Sequence, residues 1–225
     1  MDFNYTPKVE ALRTRVNTFM TEQIVPRIRL WHEEIERGHF PVSFMEDLKA
    51  RARAEGLWNL FLPGLREEEP GTRLSNLEYA PLAEIMGRVS WASEVFNCNA
   101  PDTGNMVLLH MFATPEQYEQ WLRPLLQGEI RSAFAMTEPD VASSDATNIQ
   151  TRIEQVGNEF VINGRKWFIT NAAHPRCRLI ILMGKTDPEA ARHNQQSMVL
   201  IPIDVAGVKI AVSYTHLTLP TNREV

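Results

Sequence analysis

The sequence predicts an α+β protein in which an all-helical N-terminal domain precedes a small β-barrel or sandwich domain. Two observations support this prediction. Through about residue 130, apolar residues recur at helical spacing between capping residues and short connections. From Arg131 onward, short apolar or alternating runs are separated by turns that contain glycine, as in small β domains. We therefore divide the chain into a helical domain (1–130), a β domain (131–212) and a short tail (213–225).

Helix-start residues predict where the first helices of the chain begin. Thr6 is a candidate N-cap with Pro7 at the first helical position. Pro26 should interrupt this helix, which then resumes over residues 28–37. A second amphipathic helix is predicted over residues 41–54.

Two capping boxes mark later helices. Ser75 is followed three residues later by Glu78, and Thr114 by Gln117. At this spacing the cap and its partner can each accept a hydrogen bond from the other's backbone N–H. Helices are predicted from residue 75, over residues 91–96 and 102–112, and from Thr114 through Leu122.

The second half is predicted to consist of strands joined by tight turns. Gly157-Asn158 and Asn163-Gly164 are the turn signals between alternating runs. Strands are predicted over residues 148–156, 159–162, 165–170, 178–184, 197–203 and 205–212.

The tail, residues 213–225, belongs to no predicted element. It resembles a translated sequencing-adapter tail more than a protein segment, and we hypothesise that native sequence ends near residues 210–212. Sequencing the source DNA tests this hypothesis, because a native frame that continues through these codons would contradict it.

The composition is that of an ordinary globular protein. Of 225 residues, 44% are hydrophobic and 23% are charged, and the formal net charge is −5. No basic run predicts nucleic acid as a partner, and no apolar run approaches the ~18 residues of a membrane helix. Neither the histidines nor the two cysteines, Cys98 and Cys177, show metal-ligand spacing, so we expect no metal. Without a secretory signal, we expect a cytoplasmic protein, or a mitochondrial matrix protein in a eukaryote.

The first stretch that points to chemistry is AFAMTEPDVASSD, residues 133–145, which we call the first signature. It begins as an apolar strand, and Pro139 ends the ladder because proline has no N–H to donate. The small hydroxyl and carboxylate residues that follow favour turns and can leave amide donors exposed to an anion. From these residues alone, an ordinary surface turn is the simpler interpretation.

A second segment, NGRKWFITNA at residues 163–172, favours a binding site over an ordinary surface turn; we call it the second signature. Trp167 and Phe168 are adjacent aromatics, and Thr170 follows closely. Together the signatures offer two threonines, Thr137 and Thr170, and several aromatic faces. This combination suits a flat ring with polar edges and a pyrophosphate tail.

The two signatures closely resemble the flavin-contacting motifs of the acyl-CoA dehydrogenase family, and in particular the subgroup of family members 10 and 11. The resemblance extends over about residues 1–211. In that family a helical domain, a middle β domain and a C-terminal helical bundle follow one another, and only the first two have a counterpart here. The resemblance implies FAD as cofactor, held by Phe134, Met136, Thr137, Ser143, Ser144, Phe168, Ile169 and Thr170.

The resemblance also implies a role for several of these residues. Thr137 would lie near the pyrimidine edge of the flavin, and the Thr170 hydroxyl near N5. Ser143 and Ser144 would serve the pyrophosphate, with Ser144 also beside the acyl-CoA substrate. Ser143 departs from the glycine of many relatives, and a side chain there restricts how closely the backbone can approach a phosphate.

The implied reaction is oxidation of a fatty acyl-CoA to its trans-2-enoyl form, as in fatty acid β-oxidation, with electrons passed to an electron-transfer flavoprotein. The catalytic carboxylate of the family belongs to the missing bundle, and no residue here is nominated as its substitute. Asp140, Asp145 and Glu138 are interpreted as turn-forming or structural residues. The resemblance also implies a homo-oligomer for the full-length protein.

Two alternatives remain open. An acyl-CoA oxidase or a flavin-dependent hydroxylase would keep the fold and the flavin but use another acceptor. A non-catalytic or truncated fragment would retain flavin weakly and show no turnover. Flavin absorbance in the purified chain is the test of the second alternative. We expect poor retention, because the resemblance implies that the cofactor also rests on the C-terminal bundle and on a neighbouring subunit.

Overall fold

A computed structural model describes residues 4–211, which fall into a helical unit, residues 4–113, and a unit that carries a β-sheet, residues 114–211. The predicted succession of a helical half and a β half is therefore confirmed. By their contacts, the last helical residues, 115–126, belong to the second unit. The tail hypothesis concerns residues that lie outside the described part of the chain.

The first helix, α1 (Pro7–Phe19), starts as predicted, because the Thr6 hydroxyl accepts a hydrogen bond from the backbone N–H of Val9. A π-helical turn (Met20–Ile24) and a 3-10 turn (Val25–Arg27) follow it, and α2 (Ile28–Glu36) continues the path. The predicted interruption around the proline is confirmed, since proline cannot donate the helical hydrogen bond.

The predicted start of the next helix at residue 41 is wrong. Helix α3 spans Met45–Ala54, and residues 41–44 form a turn. In that turn the backbone N–H and hydroxyl of Ser43 both donate to the buried carboxylate of Glu34. This tertiary contact has no signature in helical periodicity. The remaining helices of the unit are α4 (Asn76–Met86), α5 (Ala92–Val95) and α6 (Asp102–Phe112).

Both capping boxes are present. Ser75 and Glu78 exchange hydrogen bonds at the start of α4, as do Thr114 and Gln117 at the start of the second unit. The latter helix runs further than the predicted end at Leu122. It consists of α7 (Pro115–Gln117), a π-helical turn (Tyr118–Leu122) and α8 (Arg123–Leu126).

The helical unit encloses its own core and a buried ion pair. Phe19 of α1 packs edge-on against Phe96, with ring centroids 5.3 Å apart. The ammonium of Lys49 on α3 lies 2.8 Å from a carboxylate oxygen of Glu94 on α5 and 3.1 Å from Glu46. No helix among residues 4–211 is long and apolar enough to cross a membrane.

The second unit is built on a five-stranded mixed sheet. Its strands are β1 (Arg131–Ala135), β2 (Arg152–Val156), β3 (Glu159–Asn163), β4 (Cys177–Lys185) and β5 (Gln196–Pro202). β4 lies parallel to β1 and antiparallel to β5, and β2 and β3 form an antiparallel hairpin that joins the end of β4 at one position. Small and aliphatic residues of β1 and β4 form the core on one face of the sheet: Ala133, Ala135, Cys177 and Ile180.

Two predicted strands are wrong. Residues 165–170 form no strand, and neither do residues 205–211, the described part of the other prediction. Residues 205–211 instead lie against the sheet, where Val208 packs against the sheet core. An apolar run can therefore cover a sheet without entering its ladder.

The capping box of α4 gives a direct test of the local energetics. Ser75→Ala removes the acceptor for the Glu78 N–H and should lower the free energy of unfolding by about 1 kcal/mol. Urea titration followed by circular dichroism measures this change. Ser75→Asn is the control, because asparagine also caps helices and should stay near wild type. Equal destabilisation by both substitutions would contradict the capping role.

Candidate functional site

The first signature leaves the sheet at the end of β1. The ladder with β4 ends at Ala135, and Pro139 cannot donate the bond that would resume it. Met136 and Thr137 are therefore the first residues beyond the sheet, and both are partly buried.

The second signature is irregular backbone rather than the predicted strand. Phe168 has a left-handed φ of 52°, which interrupts an extended strand. Ile169 packs against the sheet core, whereas Phe168 and Trp167 are 68% and 44% exposed. The aromatic and β-branched residues that predicted a strand are thus divided between one core contact and two exposed rings.

The two signatures lie side by side. The backbone N–H of Trp167 donates to the carbonyl of Thr137 at 3.1 Å. The Thr137 hydroxyl in turn donates to the carbonyl of Trp167. Thr170, with an exposed side chain, lies three residues further along the same segment.

A buried ion pair connects the same segments. The ammonium of Lys166 lies 2.8 Å from Oε1 of Glu138 and donates to the Met136 carbonyl, also at 2.8 Å. The Glu138 carboxylate accepts two further hydrogen bonds, from the backbone N–H groups of Gln150 at 2.7 Å and Thr151 at 2.9 Å. One carboxylate thus joins the first signature, the second signature and the chain that enters β2.

These partners determine the charge state of Glu138. Burial raises the pKa of this carboxyl, but hydrogen bonds from Lys166, Thr151 and Gln150 outweigh burial and hold the pKa at about 2. Glu138 is therefore ionised at neutral pH and fully engaged. This agrees with its interpretation as a structural residue rather than a base.

The polar turn of the first signature directs one serine inward and one outward. The Ser143 side chain is buried; its hydroxyl accepts from the backbone N–H of Glu138 at 2.7 Å and lies within donating distance of the Val141 carbonyl, 3.1 Å. Ser144 is exposed. Among residues 4–211, the amide N–H groups of residues 140–144 have no protein acceptor. Of these residues, Asp140, Ala142 and Ser144 are exposed, so the turn keeps N–H donors available for an anion.

An arginine from the β4–β5 connection holds the end of this turn. Arg192 lies 2.9 Å from a carboxylate oxygen of Asp145 and donates to the Thr147 hydroxyl, also at 2.9 Å. The other oxygen of Asp145 accepts from the N–H and hydroxyl of Thr147. Asp145 is accordingly a turn residue, as its sequence context indicated.

Gly164 gives the second signature room to approach the start of β2. A Cβ at this position would lie 2.2 Å from the hydroxyl oxygen of Thr151 and 2.7 Å from its Cβ. The turn that precedes Lys166 therefore depends on the absence of a side chain.

The structure distributes the eight predicted cofactor residues over three locations. The end of β1 and the second signature meet through Thr137, whereas the two serines lie in the turn that follows. Within residues 4–211, no group of three His, Cys, Asp or Glu side chains could hold a metal ion. The end of β1 carries Phe134, Met136 and Thr137; the turn carries Ser143 and Ser144; and the second signature carries Phe168, Ile169 and Thr170.

Sequence reasoning interpreted Glu138 and Asp145 as structural or turn-forming residues but did not identify their partners, Lys166 and Arg192. Lys166 and Glu138 are 28 positions apart, and Arg192 and Asp145 are 47 apart. Opposite charges at such separations carry no local signal. The available clue was that Lys166 and Glu138 each lie inside a signature, among residues expected to be buried or turn-forming.

Lowering the pH should remove the contribution of Glu138 to stability. Its pKa is about 2 in the folded chain, against an ordinary value of 4.5. The contribution is therefore complete above about pH 4.5 and is lost as the pH falls towards 2. Urea unfolding at a series of pH values should show a flatter profile for Glu138→Gln, whereas Glu159→Gln on the surface of β3 should follow wild type. An identical profile for Glu138→Gln and wild type would contradict this assignment.

Gly164→Ala should destabilise the sheet unit by about 1–3 kcal/mol, because the added methyl overlaps Thr151. Gly104→Ala is the matched control. Apart from its chain neighbours and the backbone of helix α6 itself, no heavy atom lies within 4 Å of a Cβ at Gly104, so alanine should stabilise that helix by about 0.5–1 kcal/mol. Thermal unfolding should therefore move in opposite directions for the two variants, and a neutral Gly164→Ala would contradict the close approach.

Comparison with known proteins places both units in one family. The acyl-CoA dehydrogenase N-terminal domain model matches residues 6–129, and the middle domain model matches residues 133–223. The probable acyl-CoA dehydrogenase FadE2 of Mycobacterium tuberculosis is 52% identical over 95% of this chain and 52% of its own length. Mouse acyl-CoA dehydrogenase family member 10 is 48% identical over 91% of this chain and 20% of its own length.

Solved structures agree. A putative acyl-CoA dehydrogenase from Mycobacterium abscessus superposes with a TM-score of 0.84 at 50% identity, over 91% of this chain and 52% of that one. PigA, solved with FAD and proline, superposes with a TM-score of 0.73 at 25% identity, over 92% of this chain and 51% of that one. The chain spans about half the length of FadE2 and of these two structures. The chain belongs to the acyl-CoA dehydrogenase family, whose members are FAD-dependent oxidoreductases.

Proposed function

We propose that this chain forms the flavin-facing part of an FAD-dependent acyl-CoA dehydrogenase, which oxidises a fatty acyl-CoA to its trans-2-enoyl form. The observation that carries the proposal is the pairing of Thr137 with Trp167. It joins the two signatures beside the exposed rings of Trp167 and Phe168, and Thr170 lies three residues further along the chain.

The residues around this pairing fit a flavin ring. Phe168 and Trp167 offer exposed aromatic faces, and Thr170 offers an exposed hydroxyl. The Thr137 hydroxyl already donates to Trp167, so it has lone pairs left to accept from a ring N–H. Ile169 would contact the ring through its backbone, since its side chain packs in the sheet core. The proposed lining is Phe134, Met136, Thr137, Phe168, Ile169 and Thr170.

The flavin, when bound, supplies the acceptor for a hydride from the substrate's β carbon. The contribution of Thr170 is a hydroxyl that can stabilise charge developing near N5. Thr137 would orient the pyrimidine edge of the ring. The aromatic side chains would exclude water from the face they cover.

The polar turn fits the pyrophosphate of FAD. The amide N–H groups of residues 140–144 have no other protein acceptor among the described residues, and the Ser144 hydroxyl is exposed beside them. The Ser143 side chain is buried and bonded to the backbone N–H of Glu138, so it does not project into the solvent where the pyrophosphate is proposed to lie. Ser144 is proposed to contact both the pyrophosphate and the acyl-CoA.

We propose that the catalytic base lies outside this chain, in the part of the relatives that it does not match. Of the three carboxylates in the first signature, Glu138 is held by Lys166 and Asp145 by Arg192, and Asp140 is an exposed residue of the polar turn. We propose none of them as the base. Turnover would therefore need the remaining sequence of the family.

The proposal extends to an electron-transfer flavoprotein as acceptor, a role in fatty acid β-oxidation, a homo-oligomeric full-length protein, and a location in the cytoplasm or mitochondrial matrix. Anaerobic reduction of the full-length protein by acyl-CoA, followed by exposure to air, tests the acceptor. We expect slow reoxidation in air and fast reoxidation by the flavoprotein. Rapid reoxidation in air would favour an oxidase or a hydroxylase.

Cofactor binding is testable in the 225-residue chain itself. We expect saturable quenching of flavin fluorescence, with weaker binding of riboflavin than of FAD because riboflavin lacks the pyrophosphate. Ser144→Ala should weaken FAD binding by about 2- to 10-fold, the range for one hydrogen bond, and leave riboflavin binding unchanged. Ser90→Ala, at an exposed serine of the helical unit, is the control. Absence of saturable FAD binding would favour the non-catalytic fragment.

A further inference from the structure

The two signatures are joined by few bonds. Within the described residues, four hydrogen bonds run between residues 133–145 and 163–172. Two are the reciprocal bonds of Thr137 and Trp167, and the other two both come from the ammonium of Lys166. A single side chain therefore supplies half of the hydrogen bonds that relate the segments.

Only the ends of the two signatures belong to the sheet ladder. Residues 133–135 pair with β4 and Asn163 pairs with Arg152, whereas residues 136–145 and 164–172 take part in no strand pairing. Phe168 interrupts extended backbone with its left-handed φ. The spacing of these stretches therefore depends on the four bonds above, on the packing of Ile169 and Ala172 against the sheet core, and on the bond from the Asn171 amide to the Ser132 carbonyl. Of these contacts, only the Lys166 bonds and the Thr137–Trp167 bonds reach the residues that follow β1.

The ion pair has the reach to set that spacing. Glu138 connects backward to Gln150 and Thr151 at the entry to β2, and Lys166 connects forward to the carbonyl of Met136. The ammonium has three N–H donors and the carboxylate has two acceptor oxygens. Their several bonds therefore fix both the separation of the two segments and their relative orientation. Burying an ion pair costs desolvation free energy that an apolar pair of similar volume does not. The contribution of this pair therefore lies in the geometry of the two signatures rather than in the free energy of unfolding.

Burial also separates this pair from any ligand. The side chains of Glu138 and Lys166 are only 5% and 9% exposed. Of their neighbours, Thr137 is partly buried and Trp167 is 44% exposed. The pair can therefore influence a cofactor only through the residues between them.

We propose that the Glu138–Lys166 ion pair is a positioning element for the cofactor, which holds the two signatures at the spacing that admits a flavin without contacting the flavin itself. This inference rests on the proposed function. It predicts that loss of the pair changes flavin affinity more than its effect on global stability explains. It also predicts loosening of the signatures in the absence of flavin.

Lys166→Met tests the proposal, because methionine retains much of the side-chain volume but cannot donate. Lys49→Met is the matched control, since Lys49 is also a buried lysine paired with glutamate, but in the helical unit. Both variants should unfold at lower temperature. In flavin-free protein, hydrogen exchange should accelerate in peptides covering residues 136–138, 150–151 and 166–168 for Lys166→Met only.

Flavin titration completes the experiment. Lys166→Met should raise the Kd for FAD by about tenfold, whereas Lys49→Met should stay within about twofold of wild type. Glu138→Gln keeps a carbonyl oxygen that can accept from Lys166, so it should retain part of the affinity. In the double variant Glu138→Gln/Lys166→Met, the loss should be less than the product of the single losses, because both remove one interaction.

The outcomes separate this inference from the proposed function. If wild type binds FAD and Lys166→Met binds it equally well, the positioning role is overturned and the proposed function stands. If the exchange rates of the three peptides respond equally in both lysine variants, the pair is merely structural and the inference is overturned. If wild type binds no FAD, both the inference and the proposed cofactor are overturned.

Discussion

A carboxylate buried where strands give way to loops is the constraint on which the site depends. Glu138 is almost entirely removed from water, and its negative charge would be costly there without compensation. Compensation comes from the Lys166 ammonium and from the adjacent backbone N–H groups of Gln150 and Thr151, which lie on two different parts of the chain. Because all three must converge on the same two oxygens, the segments that carry them must converge too. The geometry of the candidate site is thus a consequence of satisfying one buried charge.

This arrangement leaves backbone groups free where a ligand needs them. Strand residues use their N–H and C=O groups on neighbouring strands, as β1 does on β4. Beyond Ala135 the chain has no such partner, so the amides of residues 140–144 remain available. Side-chain contacts from Glu138 and Arg192 hold the turn instead. A segment ordered by its side chains can present its backbone to a ligand.

Local signals predicted the framework well and the site only in part. Capping boxes at Ser75 and Thr114 are determined within four residues, and both are present. The family resemblance implied that both signatures contact one flavin, and the bonds between Thr137 and Trp167 are consistent with it. The conformation of the second signature was not predictable, because the left-handed φ of Phe168 and the single core contact of Ile169 depend on the sheet beneath them. The Glu138–Lys166 ion pair was likewise not predictable, because its two residues are 28 positions apart in the sequence.

Ser143 shows how a side chain can take a place where relatives have glycine. A glycine leaves the backbone open by having nothing to obstruct it. Ser143 instead turns its hydroxyl inward, where the hydroxyl accepts from the N–H of Glu138. That N–H belongs to the residue whose carboxylate anchors Lys166, so the turn and the ion pair share one residue. An alanine here would lose the acceptor and leave the Glu138 amide buried without a partner, whereas the serine ties the conformation of the turn to the same residue that spaces the two signatures.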